Sequence, residues 1–548
     1  MVRMALVFAI AVLIPAAVPA QDPSGVETQV DRVFAKWTSS TPGCAVGVSA
    51  AGRPALMRAY GMADLEHDVP NTPETIFESG SVAKQFTAAG VLLLARDGRL
   101  SLDDPVRKHI PELPDYGAPL TIRHMLTHTS GLRDWGSVAG IGGWPRGTRT
   151  YTQAHVLDIV SRQRALNFTP GSRYSYTNTG YNLSVILVSR VSGMSFAEFT
   201  KRRLFEPLDM TRTSWRDDYA RIVKDRAVAY DEEAGGFRMD MPFENAHGNG
   251  GMLTTVGDLL KWAANFTSPK IGDLTFVREQ TQPGRFTDGR THGYAMGLQI
   301  GTYKGVREIS HGGATAGYRT QLNLYPDQGV SVAVLCNAGN AMPAAYARVI
   351  ADLYLGDNGK APVLRAPQYT LTSADYDAVA GVYRNTLTGI PLRLVRDGSG
   401  VRVEGGPPLV PVSASEFTTP DGGAKWQMNG AKEARYVDEA GTTIPFEKVS
   451  PVQPSAAQLQ EFTGTYVSGE AEASMTAAVE DGALVLRRRP ATTVRLTPIY
   501  PDGFSGPGLG IVIFRRDAAG RVNAISVAQD RVWDLRFSRE NVAPLRTN

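Results

Sequence analysis

The sequence is poor in cysteine, with two in 548 residues, and it holds no long run of like charge. Lys plus Arg number 57 against 54 Asp plus Glu, a net of +3. That balance, without a basic stretch, excludes a nucleic-acid groove and a polybasic membrane patch. Two cysteines make neither a disulfide framework nor a metal site. No Gly-x-Ser-x-Gly occurs, which disfavours a nucleophile elbow on an α/β-hydrolase sheet. A phosphate-binding Gly-Lys-Ser loop and a His-Glu-x-x-His pair are also missing. His124 and His128 are four apart, but no third ligand is evident, so no metal and no organic cofactor are expected. Past the first twenty residues no stretch is apolar enough to span a bilayer.

The first twenty residues read as a signal peptide. Arg3 supplies a positive start and Met4 to Ile14 is an uninterrupted apolar run. Ala17-Val-Pro-Ala20 then offers small residues before a cut ahead of Gln21. This predicts a periplasmic or secreted protein. The remainder is long enough for two to four domains at roughly 100–200 residues each. Hydrophobic residues make up 43% of the chain, enough to bury real cores.

Periodicity divides the chain further. A helix is expected over 25–37, then a hairpin of strands over 44–50 and 54–59. A strongly apolar helix follows over 82–95, ended by Asp97-Gly98. Helical segments and Gly-, Pro- and Thr-rich loops occupy about 103–265. Strands return at 298–302, 306–310, 321–325 and 330–336, with a closing helix over 343–355. Residues 21–362 therefore read as α+β: an antiparallel sheet drawn from both chain ends, with a helical region inserted between them. In that topology the first and last strands can be neighbours. Cys44 and Cys336 lie on them, so one bridge is possible; two buried free thiols fit equally well.

Composition shifts at a linker over 357–367. Two stretches then resemble each other, Tyr376-Asp-Ala-Val-Ala-Gly-Val-Tyr383 and Leu459-Gln-Glu-Phe-Thr-Gly-Thr-Tyr466. They open two all-β modules, 368–450 and 456–548, expected to be small barrels or sandwiches.

Three segments carry candidate chemistry. Ser81 opens the 82–95 helix and Lys84 follows one turn later, on the same face. A nearby amine can take the proton of a serine hydroxyl; an ordinary N-cap serine gives the same pattern. Tyr176 and Asn178 sit two apart in the polar loop Pro170 to Tyr181. An extended segment aims them to one side, and a phenol beside an ammonium has a depressed pKa and can act as a base. A polar surface loop is the duller alternative. Ser310-His-Gly-Gly313 follows a strand, and its glycines allow close backbone approach to a ligand; a Gly-rich turn with a surface histidine reads the same.

Taken together, Ser81-Val-Ala-Lys84, Tyr176-Thr-Asn178 and His311-Gly-Gly313 resemble the motifs of the penicillin-recognising serine hydrolases, in their order. The likeness is to the class C β-lactamase branch, with its D,D-peptidases, D-aminopeptidases and family VIII esterases. Leu126-Thr-His-Thr-Ser-Gly-Leu132 and Gly250-Gly-Met-Leu-Thr-Thr255 look like the same branch. The resemblance implies Ser81 as nucleophile, Lys84 sharing protons, and Tyr176 as general base and then acid. It implies Asn178 as a substrate ligand and the Ser81 and Ala314 N–H groups as an oxyanion hole, with Gly313 beside them. His311 stands where classical β-lactamases have Lys, a departure that weakens the β-lactamase reading.

The two β modules resemble the lipocalin-like barrels of bacterial D-aminopeptidases. There a loop of the last barrel selects substrates with a free amino end. The equivalent here is expected at 500–508, with Asp502 pairing to a substrate ammonium. The implied activity is a serine hydrolase acting through a Ser81 acyl-enzyme on small peptides with D-residues or cell-wall peptides. A small-ester carboxylesterase, a weak β-lactamase, and a catalytically silent scaffold are the alternatives.

Overall fold

A computed structural model describes residues 23–356 and 365–540, apart from 399, 421 and 431. The expected signal peptide at 1–20 and the start of the 357–367 linker lie outside these residues. Among the described residues no single helix is long and apolar enough to cross a membrane.

The expected hairpin forms from β1 (Cys44–Ala50) and β2 (Arg53–Tyr60). Its turn residues Ala51 and Gly52 both have positive φ, the geometry that matches the twist of paired strands. The other strands of this sheet are β3 (Gln299–Tyr303), β4 (Val306–Thr315), β5 (Tyr318–Tyr325) and β6 (Val330–Cys336), in the spatial order β3-β4-β5-β6-β1-β2. All neighbours run antiparallel. Both chain ends thus meet at the β6–β1 seam, where Cys44 faces Cys336 and the two form a disulfide with Cα atoms 4.0 Å apart.

Alternation sorts the sheet's two faces. Val46, Val48, Val332 and Val334 point to one side, into a core with Phe34 and Ile350. That side is closed by α1 (Pro23–Val33) and the C-terminal helix α4 (Pro343–Leu355). Helix α1 stops short of the expected range; the chain passes into turns, with Trp37 N donating to the Phe34 carbonyl at 2.9 Å. Ala45, Ala333 and Leu335 point to the other side, against a large core that contains the whole apolar surface of α2 (Lys84–Arg96) and α3 (Thr179–Ser192). Helix α2 is buried from Lys84 to Leu94, packed against α3 and other helices of the helical region.

One strand is longer than its sequence suggests. β4 continues through His311-Gly-Gly313 to Thr315, where a turn was an open alternative. It pairs on one side with β5, His311 facing Leu322 and Gly313 facing Thr320. β3 covers its other edge only as far as Ser310. The stretch 311–315 therefore presents a backbone edge beside the site described below.

The C-terminal half holds two all-β units. Eight strands from Gly381–Asn385 to Thr443–Val449 close into a barrel with its own core around Phe417, Trp426 and Phe446. A nine-stranded sheet spans 464–539, its first and last strands paired at Tyr466 and Arg539. The repeated sequence has a repeated structure. In each copy a short helix, Ser373–Val379 or Ala456–Glu461, precedes the first strand. A tyrosine hydroxyl then bonds back to a carbonyl four residues earlier, Tyr383 to Val379 at 2.8 Å and Tyr466 to Phe462 at 2.7 Å.

The two units relate differently to the rest. The apolar core of the last one is continuous with that of the helical region. Polar ties accompany it: the buried Arg133 bonds Glu470 at 3.0 Å, and Gln163 Nε2 donates to the Glu470 carbonyl at 3.0 Å. The final hairpin, β7 (Val522–Gln529) and β8 (Val532–Arg539), turns at Asp530 and Arg531 against the catalytic domain.

Candidate active site

Ser81 stands in a single 3₁₀ turn, Gly80–Ala83, that feeds into α2. The turn is held from both sides. The short strand Phe77–Glu78 pairs with Met252–Thr254, and Ser79 N donates to the Met252 carbonyl at 2.8 Å. Thr320 Oγ1 on β5 donates to the Ser79 carbonyl at 2.7 Å. Gly80 has φ +50°, a conformation suited to glycine. A Cβ there would also lie 2.6 Å from Ala314 N. At Gly313 a Cβ would lie 2.1 Å from the Ser79 carbonyl oxygen. Both glycines therefore let β4 lie flat against the turn, which brings Ala314 N beside Ser81.

Under the serine, Lys84 is fully buried. Its Nζ lies 3.1 Å from Ser81 Oγ, 2.9 Å from Asn178 Oδ1 and 2.7 Å from the Asn249 carbonyl oxygen. Burial pushes its pKa well below the usual lysine value, and the positive Arg531 nearby pushes the same way.

Tyr176 and Asn178 reach this lysine from the loop before α3. His128, itself at φ +57°, fixes that loop. Its carbonyl accepts from Ser175 N at 3.0 Å and its Nδ1 accepts from Thr177 N at 3.3 Å, on either side of Tyr176. The His128 and Tyr176 rings lie 4.2 Å apart. Since His128 Nδ1 accepts, its proton is on Nε2. Asp134 Oδ2 accepts from Asn178 N at 2.8 Å and orients the amide. The Tyr176 phenol reaches the Ser81 side chain. Crowding protein atoms raise its pKa above the ordinary tyrosine value, the opposite of the expected depression by an ammonium. The cause is burial of the phenol itself, which disfavours the phenolate.

His311 is buried and engaged at both ring nitrogens. Nδ1 lies 2.6 Å from the Gly312 carbonyl oxygen, which can only accept, so Nδ1 carries the proton. Nε2 then accepts from the Tyr294 hydroxyl at 3.0 Å. Burial lowers the His311 pKa to about 3, and it is neutral at physiological pH.

These groups surround one cavity of about 410 Å³. Ser81, Tyr176, Asn178, His311 and Ala314 all border it. Arg146, Asn249, Gln299 and Arg531 border it too and were not singled out in the sequence. Asn249 acts through its backbone carbonyl, which no residue type signals. Arg531 belongs to the last β unit and meets Tyr176 only through domain docking, so no local pattern marks it.

Two expectations need correction. Asp502 does not border the cavity; its carboxylate is held by Arg516, at 2.9 Å between Oδ1 and Nη2. The loop's Tyr500 hydroxyl is spent on the Gly389 carbonyl of the first barrel, at 2.5 Å. The last module reaches the site through the β7–β8 turn instead. Tyr174, Tyr181, Tyr294 and Trp135 do not line the cavity.

A model of the beta-lactamase family matches residues 30–355. The chain belongs to this family. A D-aminopeptidase of Gluconobacter oxydans is 30% identical over 311 residues, 57% of this chain and 58% of that protein, so the chain spans under two thirds of that relative's length. A D-aminopeptidase of Cereibacter sphaeroides is 27% identical over 475 residues, covering 84% of this chain and 87% of that one. Among solved structures, the octameric penicillin-binding protein homologue from Pyrococcus abyssi is similar with a TM-score of 0.55 and 25% identity, over 78% of this chain and 100% of that one. The D-amino acid amidase from Ochrobactrum anthropi shares the fold, with a TM-score of 0.51 and 20% identity over 60% of this chain and 98% of that one. This member of the beta-lactamase family is a serine hydrolase.

Proposed function

We propose that the enzyme cleaves amide bonds in D-residue-containing or cell-wall peptides through a Ser81 acyl-enzyme, and that its apolar leader sends it out of the cytoplasm. The observation that carries the mechanism is the environment of Lys84. A neutral amine has two hydrogens and one lone pair. Two of its three neighbours, Asn178 Oδ1 and the Asn249 carbonyl, can only accept. Both hydrogens go to them, and the lone pair faces Ser81 Oγ.

Lys84 then takes the serine proton as Oγ bonds to the substrate carbonyl carbon. The oxyanion is met by the Ser81 and Ala314 N–H groups. Tyr176, a protonated phenol beside the serine, gives its proton to the leaving amine nitrogen as the C–N bond breaks, and Lys84 returns a proton to the phenolate. Water attacks the ester by the reverse proton path and frees Ser81.

The D-aminopeptidase relatives support the substrate class. The test is intact-mass spectrometry with a fluorophosphonate, followed by a panel of D- and L-aminoacyl amides. One adduct on Ser81, missing in Ser81→Ala, together with turnover of D-aminoacyl amides, supports the reading. A labelled enzyme that cleaves only esters removes the amide assignment.

A further inference from the structure

Arg531 occupies the tip of the β7–β8 hairpin, and its backbone is what docks. Its carbonyl accepts from Asp134 N at 3.2 Å and from Asn167 Nδ2 at 3.1 Å, and Trp533 N donates to Asn167 Oδ1 at 3.0 Å. The side chain is left free to project. Its guanidinium lies 4.9 Å from the Tyr176 ring centroid and is 41% exposed. It borders the catalytic cavity on one side and a second cavity of about 560 Å³ on the other.

The charges facing it can be named. Its nearest carboxylate is Asp134, with Oδ2 at 4.0 Å from Nη1, and that oxygen already accepts from Asn178 N. No hydrogen bond from the guanidinium is made among the described residues. Arg146, the other arginine on the cavity, is held by both oxygens of Glu244. Lys84 faces the serine, and His311 has both nitrogens occupied. Among the described residues no Asp or Glu lines this cavity; Asp530 lines only the second one. Among the described residues Arg531 is thus the one arginine on the cavity whose guanidinium makes no hydrogen bond, its ion pair with Asp134 being a long one at 4.0 Å.

Its place identifies the end of the substrate it meets. Tyr176 delivers the proton to the leaving amine, and Arg531 lies over that ring. We propose that Arg531 binds the free carboxylate of the leaving amino acid, so the enzyme prefers peptides whose scissile amide precedes a C-terminal residue. A guanidinium offers two parallel donors to a carboxylate, and it repels an ammonium at the same point. This inference rests on the amide-cleaving reading above.

The test uses the full chain carrying Ser81→Ala, so that binding is read without turnover. Calorimetry compares N-acetyl-D-alanyl-D-alanine with its C-terminal carboxamide. The carboxylate form is expected to bind roughly 10–100-fold more tightly, the scale of a charge-assisted hydrogen bond. With Arg531→Gln added the two affinities converge, and with Arg531→Glu the carboxamide binds better. Because the turn is held by its backbone, both variants are expected to unfold at the parent temperature. Equal affinities in the parent, no binding of either compound, or a preference that survives Arg531→Gln overturns the proposal. Turnover of the same dipeptide by the unmodified chain reports separately: selective binding without cleavage keeps the Arg531 assignment and removes the amide-hydrolase reading.

Discussion

Ser81 Oγ stands 3.1 Å from Lys84 Nζ, a fully buried lysine to which, among the described residues, no carboxylate is bonded. The amine is therefore poised as a base. Lys84→Met should lower kcat/KM roughly 10²–10⁴-fold. In the wild type, activity should fall as pH falls through the depressed lysine pKa, because the ammonium has no lone pair for the serine proton. A pH–rate profile of kcat/KM checks this. An acid limb that persists unchanged in Lys84→Met would assign it to another group.

Tyr176 is predicted to matter in proportion to the leaving group. An amide nitrogen must be protonated to leave, whereas p-nitrophenolate leaves unaided. Tyr176→Phe should cost roughly 10²–10⁴-fold on an aminoacyl amide and far less on a p-nitrophenyl ester. Equal losses on both substrates would take the tyrosine out of the acid role.

Gly80 sets the distance between the serine turn and β4. A Cβ there meets backbone, not the end of a flexible side chain, so side-chain rotation cannot relieve it. Gly80→Ala should push Ala314 N away from the oxyanion position and reduce kcat roughly 10²–10³-fold, the scale for losing one donor. Fluorophosphonate labelling should slow in parallel. Normal labelling by a folded variant would show that Ala314 N does not serve the oxyanion.

Two buried histidines, His311 at the site and His292 packed against Tyr174 and Phe286, also predict acid sensitivity. His311 and His292 have pKa values lowered by burial to about 3 and about 4. Unfolded, each titrates near 6.5, so between about 4 and 6.5 the unfolded chain binds more protons. Stability should therefore be fully present above about 6.5 and be lost as pH falls through about 4 for His292 and about 3 for His311. Thermal unfolding followed against pH reads this slope. His292→Phe should flatten it; an unchanged slope would place the sensitivity elsewhere.

Much of this protein follows from local pattern. Alternation along β1 and β6 sets valines on one face of the sheet and Ala45, Ala333 and Leu335 on the other, and the apolar run after Ser81 is a helix buried on nearly every side. Ser81 and Lys84 share a helix face at three-residue spacing, and Tyr176 and Asn178 share a side of one loop. Those relations are short-range, so residue types and periodicity suffice. The paired Cys44 and Cys336 lie between. The strand order made the bridge possible, but only the β1–β6 register placed the two opposite each other.

Residue order alone thus accounts for the elements, the grouping of Ser81 with Lys84 and of Tyr176 with Asn178, and the doubled β unit. The protonation states and the far wall of the site come from the assembled molecule. Burial lowers the Lys84 pKa and raises that of Tyr176, the reverse of the depression expected for the phenol. Arg531 replaces Asp502 at the cavity because the last module docks through its β7–β8 turn. Desolvation and docking both depend on which distant surfaces close together, and no spacing along the chain records that.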